Sequence, residues 1–553
     1  MIVRFRKCKI REFLMTSLIF MIIAVLYVLL GHQLMVNYQF SDINFHVNRL
    51  LGLSGIWHHP INYTTYAQTG YGVNYFYPWL TAYPVVLCMK LMRSFVKGYY
   101  IFVILVNYVT GLSAYYAGKQ ITSDRLKSFV FSYLWIFSTY RSLDIYRRFD
   151  VGEYLAMIFI PLVFSALWLI LIRNKNAWLQ LAFVVTLILY SHILSACMTV
   201  FACGIFLILC WNLVVDKRTV IIRLLKAMAL SVGLGMGYIL PYIQQARLKM
   251  TTPALGNMQA TAYAVKRLVV TTFANTLGNL QDTTVGLGIV CVIFLVLGIF
   301  FLRKVRFAWI WWSMGLLFSI MVTKLFPWMI FPKWVGILQF PTRFVIFSTF
   351  FSLIFGSIIF IRGKLWWRWL MTVGLLLLTT VSFNIRVHNL SQTAPVQEKI
   401  ALEAHGINSR FMYANYPEYR SIKSISGNNL NTIVNHVFLD NDGKQIPVTY
   451  QTTSAYYVVN LHDKVNEREI DMPIEFYKGI YAHQGKRILP VSQSSRGTVI
   501  VHGVDGDKRQ IVVSSKWTFL ALIGWAITLI SLICSLIIFL RKYFPLGRDL
   551  IGL

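Results

Sequence analysis

The sequence is short of acids: 21 Asp and Glu stand against 52 Lys and Arg in 553 residues. Twelve of the 21 fall within 391–515, which leaves nine for all the rest of the chain. Residues 13–123 hold a single acid, Asp42. None of the nine sits at the middle of an apolar run, and a proton- or ion-coupled transporter usually needs ionisable groups there, so their absence argues against that class. Cysteine is also sparse, with seven residues nearly all in or beside apolar runs and none in 391–515. That excludes a disulfide framework and a zinc-ligand spacing. The basic N-terminus runs into an apolar stretch without a small-residue cleavage site, which reads as an uncleaved first helix. The excess of bases does not imply nucleic acid, because Lys and Arg occur in short clusters between apolar runs and not along one soluble face. Nucleic-acid binding is excluded on that ground.

What is abundant is apolar length. The composition is 57% hydrophobic and 15% aromatic, and runs such as 13–30, 152–172 and 517–540 are long enough for a hydrocarbon layer roughly 30 Å thick. Arg4, Arg6, Lys7, Lys9 and Arg11 precede the first run, placing the N-terminus in the cytoplasm by the positive-inside rule. Residues 32–98 then form a first outer loop, and the short piece 78–92, with Lys90 inside it, reads as interfacial or re-entrant. From there, crossings at 100–118, 128–140, 152–172, 177–190, 195–214, 224–240, 285–302, 307–323, 344–361, 369–385 and 517–540 put every basic loop on the inner side. The expectation is a polytopic α-helical plasma-membrane protein with about twelve transmembrane helices and both termini cytoplasmic. Residues 1–390 form the membrane module and 516–553 the final helix and tail. Between them 391–515 is expected as an extracellular β-rich, sandwich-like domain, on the strength of Tyr456-Tyr457-Val458-Val459, Gly497-Thr498-Val499-Ile500-Val501 and Gln510-Ile511-Val512-Val513.

Two polar clusters stand out on the outer side of this topology. The first is Ser41-Asp42-Ile43-Asn44-Phe45-His46-Val47-Asn48-Arg49, which as a helix sets Asp42, His46 and Arg49 at i, i+4 and i+7 on one face. The second is Arg141-Ser142-Leu143-Asp144-Ile145-Tyr146-Arg147-Arg148-Phe149-Asp150-Val151-Gly152-Glu153. Each has a plain structural reading: an amphipathic anchor for the first, mutually paired helix caps for the second. His192, the bases Arg247, Lys249, Lys266 and Arg267, and the segment Gln339-Phe340-Pro341-Thr342-Arg343 fall on the same side. The guanidinium and ammonium groups among them suit a phosphate at headgroup level.

In the order and common sidedness of Asp42 to Arg49, Tyr75-Phe76-Tyr77-Pro78, Gly152-Glu153-Tyr154-Leu155-Ala156, Ser191-His192, Gln339 to Arg343 and the outer β region, the chain resembles the GT-C superfamily of membrane glycosyltransferases. Within it the likeness is to bacterial YfhO-like proteins and the integral membrane proteins labelled 6-pyruvoyl-tetrahydropterin synthase-related. The resemblance implies transfer of a sugar from a polyprenyl-phosphate carrier in the lipid bilayer to a cell-envelope glycan or polymer acceptor. It implies Asp42 as catalytic base; the polar clusters around it add His46 and Glu153 as expected catalytic residues, and Arg49, Arg147, Arg148, His192, Gln339 and Arg343 as expected substrate and phosphate ligands. The paired acids of some superfamily members are here Ser41-Asp42, so no cofactor is certain and a divalent metal is left without a paired-acid motif to support it. A lipid-linked glycan flippase and a non-catalytic envelope-assembly protein are the alternatives.

Overall fold

The computed structural model describes residues 2–37, 42–278, 284–393, 416–461, 469–507 and 510–543. Among these, eight helices are long and apolar enough to cross a membrane: Ile10–His32, Phe95–Thr122, Val151–Leu171, Ile193–Leu213, Lys217–Ala246, Pro341–Phe360, Leu365–Gln392 and Phe519–Arg541. The chain is a multi-pass membrane protein. The other four expected spans meet shorter helices, Arg125–Ile136, Trp178–Leu189, Ile289–Gly298 and Ala308–Met321, of 12, 12, 10 and 14 residues. At about 1.5 Å per residue each falls short of the hydrocarbon thickness. Pro84–Met92 is a nine-residue helix.

The chain divides into two compact units. The first comprises Met1–His46, Thr81–Leu224 and Ala254–Gly406. Lipid-like surroundings give helices no hydrophobic reason to associate, so small residues at the contact decide how closely they pack. Gly98 lets Phe95–Thr122 lie against Pro84–Met92, since a Cβ there would stand 2.6 Å from Met89 Cα. Helices Ile289–Gly298 and Val345–Phe360 interlock through two glycines: Gly298 receives the Phe355 ring and Gly356 receives the Phe294 ring.

The second unit comprises Val47–Leu80, Leu225–Pro253 and Ile407–Leu553. Its strands are β1 Val448–Thr452, β2 Tyr456–Leu461, β3 Glu469–Glu475, β4 Ile480–Gln484, β5 Arg487–Leu489, β6 Val491–Gln493, β7 Thr498–His502 and β8 Gln510–Ser515. They form an antiparallel sheet in the order β1-β2-β8-β4-β5 and a second in the order β3-β7-β6. Period-2 burial follows from the pleat: Tyr457, Val459 and Leu461 of β2 point inward, as do Ile511 and Val513 of β8. The core is not made by the strands alone, for Ile61, Tyr63, Tyr75 and Phe76 share it. The aromatics of 71–79 are therefore packing residues here: Phe76 stacks on Tyr419 at 5.4 Å, and Tyr75 meets Trp517 edge-on at 5.6 Å. β8 ends at Ser515, and helix Phe519–Tyr543 begins at once.

Candidate functional site

All of the cluster lies in the first unit, and its frame is the connection ahead of Val151–Leu171. Helix Thr139–Leu143 passes into a π-helical turn, Asp144–Arg148, a geometry that recurs at functional positions. Phe149 then adopts a left-handed φ of 62°, uncommon for a residue with a Cβ. It reverses the chain so that Asp150 N–H donates to the Asp144 carbonyl at 3.0 Å. The Asp150 carboxylate accepts the Glu153 N–H at 3.0 Å, capping the next helix as short acceptor side chains do.

This folding gathers three carboxylates around one guanidinium. Arg148 Nη1 stands 2.7 Å from Glu153 Oε2 and 3.4 Å from Asp144 Oδ1, and Nη2 stands 3.1 Å from Asp150 Oδ2. Tyr140 donates its hydroxyl proton to Glu153 Oε2 at 3.2 Å. The other Glu153 oxygen is 3.3 Å from Arg343 Nη1, which enters from the start of Pro341–Phe360. Arg343 Nη2 donates to Gln339 Oε1 at 2.6 Å, while its buried Nε has no hydrogen-bond partner among the described residues. Glu153 is wholly buried, and each of its oxygens is engaged by an arginine.

His46 Nε2 lies 3.9 Å from Asp150 Oδ1. His192 sits at the head of Ile193–Cys210 with Nδ1 2.8 Å from Ser195 Oγ, and it interacts electrostatically with Asp150, Glu153, Arg343 and Arg148. Burial lowers its pKa, and the charges of Asp150 and Glu153 oppose that. Burial alone would raise Asp150, but His192, Arg148, His46 and Arg343 outweigh it and hold this carboxylate well below its usual range. Asp144 goes the other way. Burial first, and then the charge of Glu153, push it well above that of an ordinary aspartate, and its Oδ2 is buried with no hydrogen-bond partner among the described residues.

Asp42 occupies the turn just before helix Ile43–Leu51, where its carbonyl accepts the His46 N–H at 3.0 Å. Its half-buried carboxylate makes no hydrogen bond or salt bridge with any described residue, and it senses Arg148, Asp150, Arg343 and Arg147 electrostatically. Burial raises its pKa; the arginines oppose that and Asp150 adds to it. A carboxyl with a raised pKa, partial exposure and no partner can take up a proton from something that arrives.

Asp42, His46, Asp150, Glu153, His192, Gln339 and Arg343 thus share one electrostatic neighbourhood. Arg147, buried beside them, acts on Asp42 through its charge. Arg49 belongs to the second unit, where its guanidinium lies 4.0 Å over the Tyr77 ring and donates to the Pro78 carbonyl at 3.1 Å. Arg148, expected to bind phosphate, has Glu153, Asp150, Asp144 and Tyr140 around its Nη groups. Ser41 and Asp282 lie outside the described residues.

Tyr140 and Asn107 were not foreseen as members, and Asp144 and Asp150 only as part of the second polar cluster. Tyr140 and Asp144 complete the shell of Arg148 and Glu153. Behind them, Asn107 accepts from Arg141 Nη2 at 3.1 Å and from the Tyr154 hydroxyl at 2.7 Å, with Arg141 4.1 Å over the Tyr154 ring. The signal for that layer is Asn107 itself, an amide in the middle of an apolar span. Among the described residues no group of three or more His, Cys, Asp or Glu is placed to hold a metal ion.

No family model and no curated protein matches the chain. Among solved structures, the chain is similar to arabinofuranosyltransferase AftD from mycobacteria at 12% identity and a TM-score of 0.42, over 69% of this chain but only 27% of that one.

Proposed function

We propose that the protein is a membrane glycosyltransferase that moves a sugar from a polyprenyl-phosphate carrier to an acceptor hydroxyl in the cell envelope, on the outer face of the plasma membrane. The observation that carries this reading is the unpaired, half-buried Asp42 carboxylate held within the field of Arg343, Arg147 and Arg148. A carbon–oxygen bond to a phosphate already has a good leaving group. The protein has two tasks, to remove the acceptor proton and to meet the charge that grows on the departing phosphate. Asp42 accepts the hydroxyl proton as the acceptor oxygen bonds to the anomeric carbon. The carbon–oxygen bond to phosphate breaks with its electron pair on the phosphate, which Arg343 meets through the N–H that the protein leaves unbonded. Arg147 adds positive charge. Glu153 and Arg148 serve as positioning residues, fixing Arg343 from below. His46 and His192 line the same neighbourhood without an assigned proton.

The test is purified protein incubated with a labelled polyprenyl-phosphosugar and candidate hydroxyl acceptors. Transfer of label to acceptor supports the reading. Movement of the lipid between leaflets without transfer indicates a flippase, and retention without either indicates an assembly protein. Both of the latter would overturn it.

A further inference from the structure

A second concave site lies at the other ends of two helices that frame the cluster. Val151–Leu171 begins beside Glu153 and is followed by Arg173, and Pro341–Phe360 begins beside Arg343 and reaches Ile358 near its last turn. Between these ends and that of Phe95–Thr122 is a cavity of about 470 Å³, lined by Lys127, Arg173 and Arg306 and by the aromatic rings of Trp168, Phe307 and Trp311. The volume is that of a small-molecule site.

Its lining carries three positive charges and no carboxylate. None of the three bases makes a salt bridge with a described residue. Arg306 lies 4.5 Å over the Phe307 ring. The nearest acid on the same helix start, Asp124, is already engaged, with both its oxygens 2.7 Å from Arg368 Nη2 and the N–H groups of Leu126 and Lys127 on Oδ1. The floor is apolar: Trp168 stands 5.3 Å from Trp311 and 5.8 Å from Phe307.

We propose that this cavity binds the phosphate of an anionic phospholipid, with Lys127, Arg173 and Arg306 on the headgroup and the rings along the start of an acyl chain. Three membrane-spanning helices end around it, which sets it at headgroup depth, and basic pockets between helices at that depth suit anionic headgroups. Aromatic rings with one polar edge suit the boundary between chain and headgroup. The inference does not depend on the glycosyltransferase reading.

Native mass spectrometry of the detergent-purified full chain tests it, with phosphatidylglycerol and phosphatidylcholine offered at equal concentration. The parent is expected to retain phosphatidylglycerol selectively. Lys127→Gln with Arg306→Gln should weaken that retention about 30-fold, the loss of two near-surface cations. Arg306→Gln alone, at an exposed position, should weaken it by about a third of that on a logarithmic scale or more. Arg303→Gln with Lys364→Gln, exposed bases outside the cavity, should leave retention unchanged. Equal retention of the two lipids by the parent would overturn the proposal, as would equal loss in the control pair. Displacement of the lipid by millimolar inorganic phosphate would also overturn it, by showing a site for a free anion.

Discussion

A carboxylate that is half-buried without a partner is held at some cost, and at Asp42 that cost has a sign that can be measured. Its pKa is raised by burial, so the folded state binds its proton more tightly than the unfolded chain does. The associated stability is complete below the ordinary aspartate value of about 4 and is lost as pH rises through the raised folded value. Asp42→Asn should therefore be at least as stable as the parent at neutral pH by thermal unfolding, while transfer falls roughly 10²-fold or more for want of a base. The acidic limb of the parent's kcat/KM profile should lie above the ordinary aspartate range and vanish in the variant. Full activity in folded Asp42→Asn would remove the catalytic assignment. Glu153 is the contrast. Both its oxygens neutralise buried arginines, and breaking such an arrangement from one side typically costs about 3–5 kcal/mol. Glu153→Gln should lower the melting temperature sharply where Asp42→Asn does not. The sequence made these charges visible because ionisable groups are rare in so apolar a chain. It could not say which carboxylate was spare, since Arg148 meets Asp144, Asp150 and Glu153 only after the π-helical turn and the left-handed Phe149 bring them together.

Among the elements, the basic loops and apolar runs located the helices well. The β segments at 456–459, 497–501 and 510–513 coincide with β2, β7 and β8, because strict alternation survives whatever the strands pack against. Less was legible where packing sets length. The runs 128–140 and 285–302 are interrupted: Arg125–Ile136 ends as the chain turns towards the site, and Ile289–Gly298 gives way to a 3₁₀ turn at Ile299–Lys304. Nor could composition reveal that Gly298 and Gly356 each receive a phenylalanine of the other helix. That reciprocity makes a prediction at this scale. Gly356→Val places a side chain where the Phe294 ring lies, and overpacking of this kind typically costs about 1–3 kcal/mol. Thermal unfolding should show the loss. Phe294→Ala combined with Gly356→Val should recover part of it, because the double change vacates the space that the valine needs. No recovery would mean that the two helices do not pack through this pair.

For the whole molecule, the proposed chemistry stands or falls on sidedness, since a polyprenyl-phosphosugar consumed for the envelope must be met on the outer face. The bases that follow Phe95–Thr122, Val151–Leu171 and Pro341–Phe360 lie at the ends opposite to Glu153 and Arg343, and bases gather on the cytoplasmic side of short loops. Under the proposed reading that rule puts the Asp42 cluster at the outer ends of these helices, and Asn174 and the basic cavity at their inner ends. In a background cleared of its native cysteines, a cysteine at position 44 or at an exposed strand position such as 488 should react with an impermeant thiol reagent in intact cells. One at position 174 should react only after the membrane is permeabilised. Labelling at 174 in intact cells would place Asp42 on the cytoplasmic face, where the carrier-linked donor and envelope acceptor proposed for it are not met.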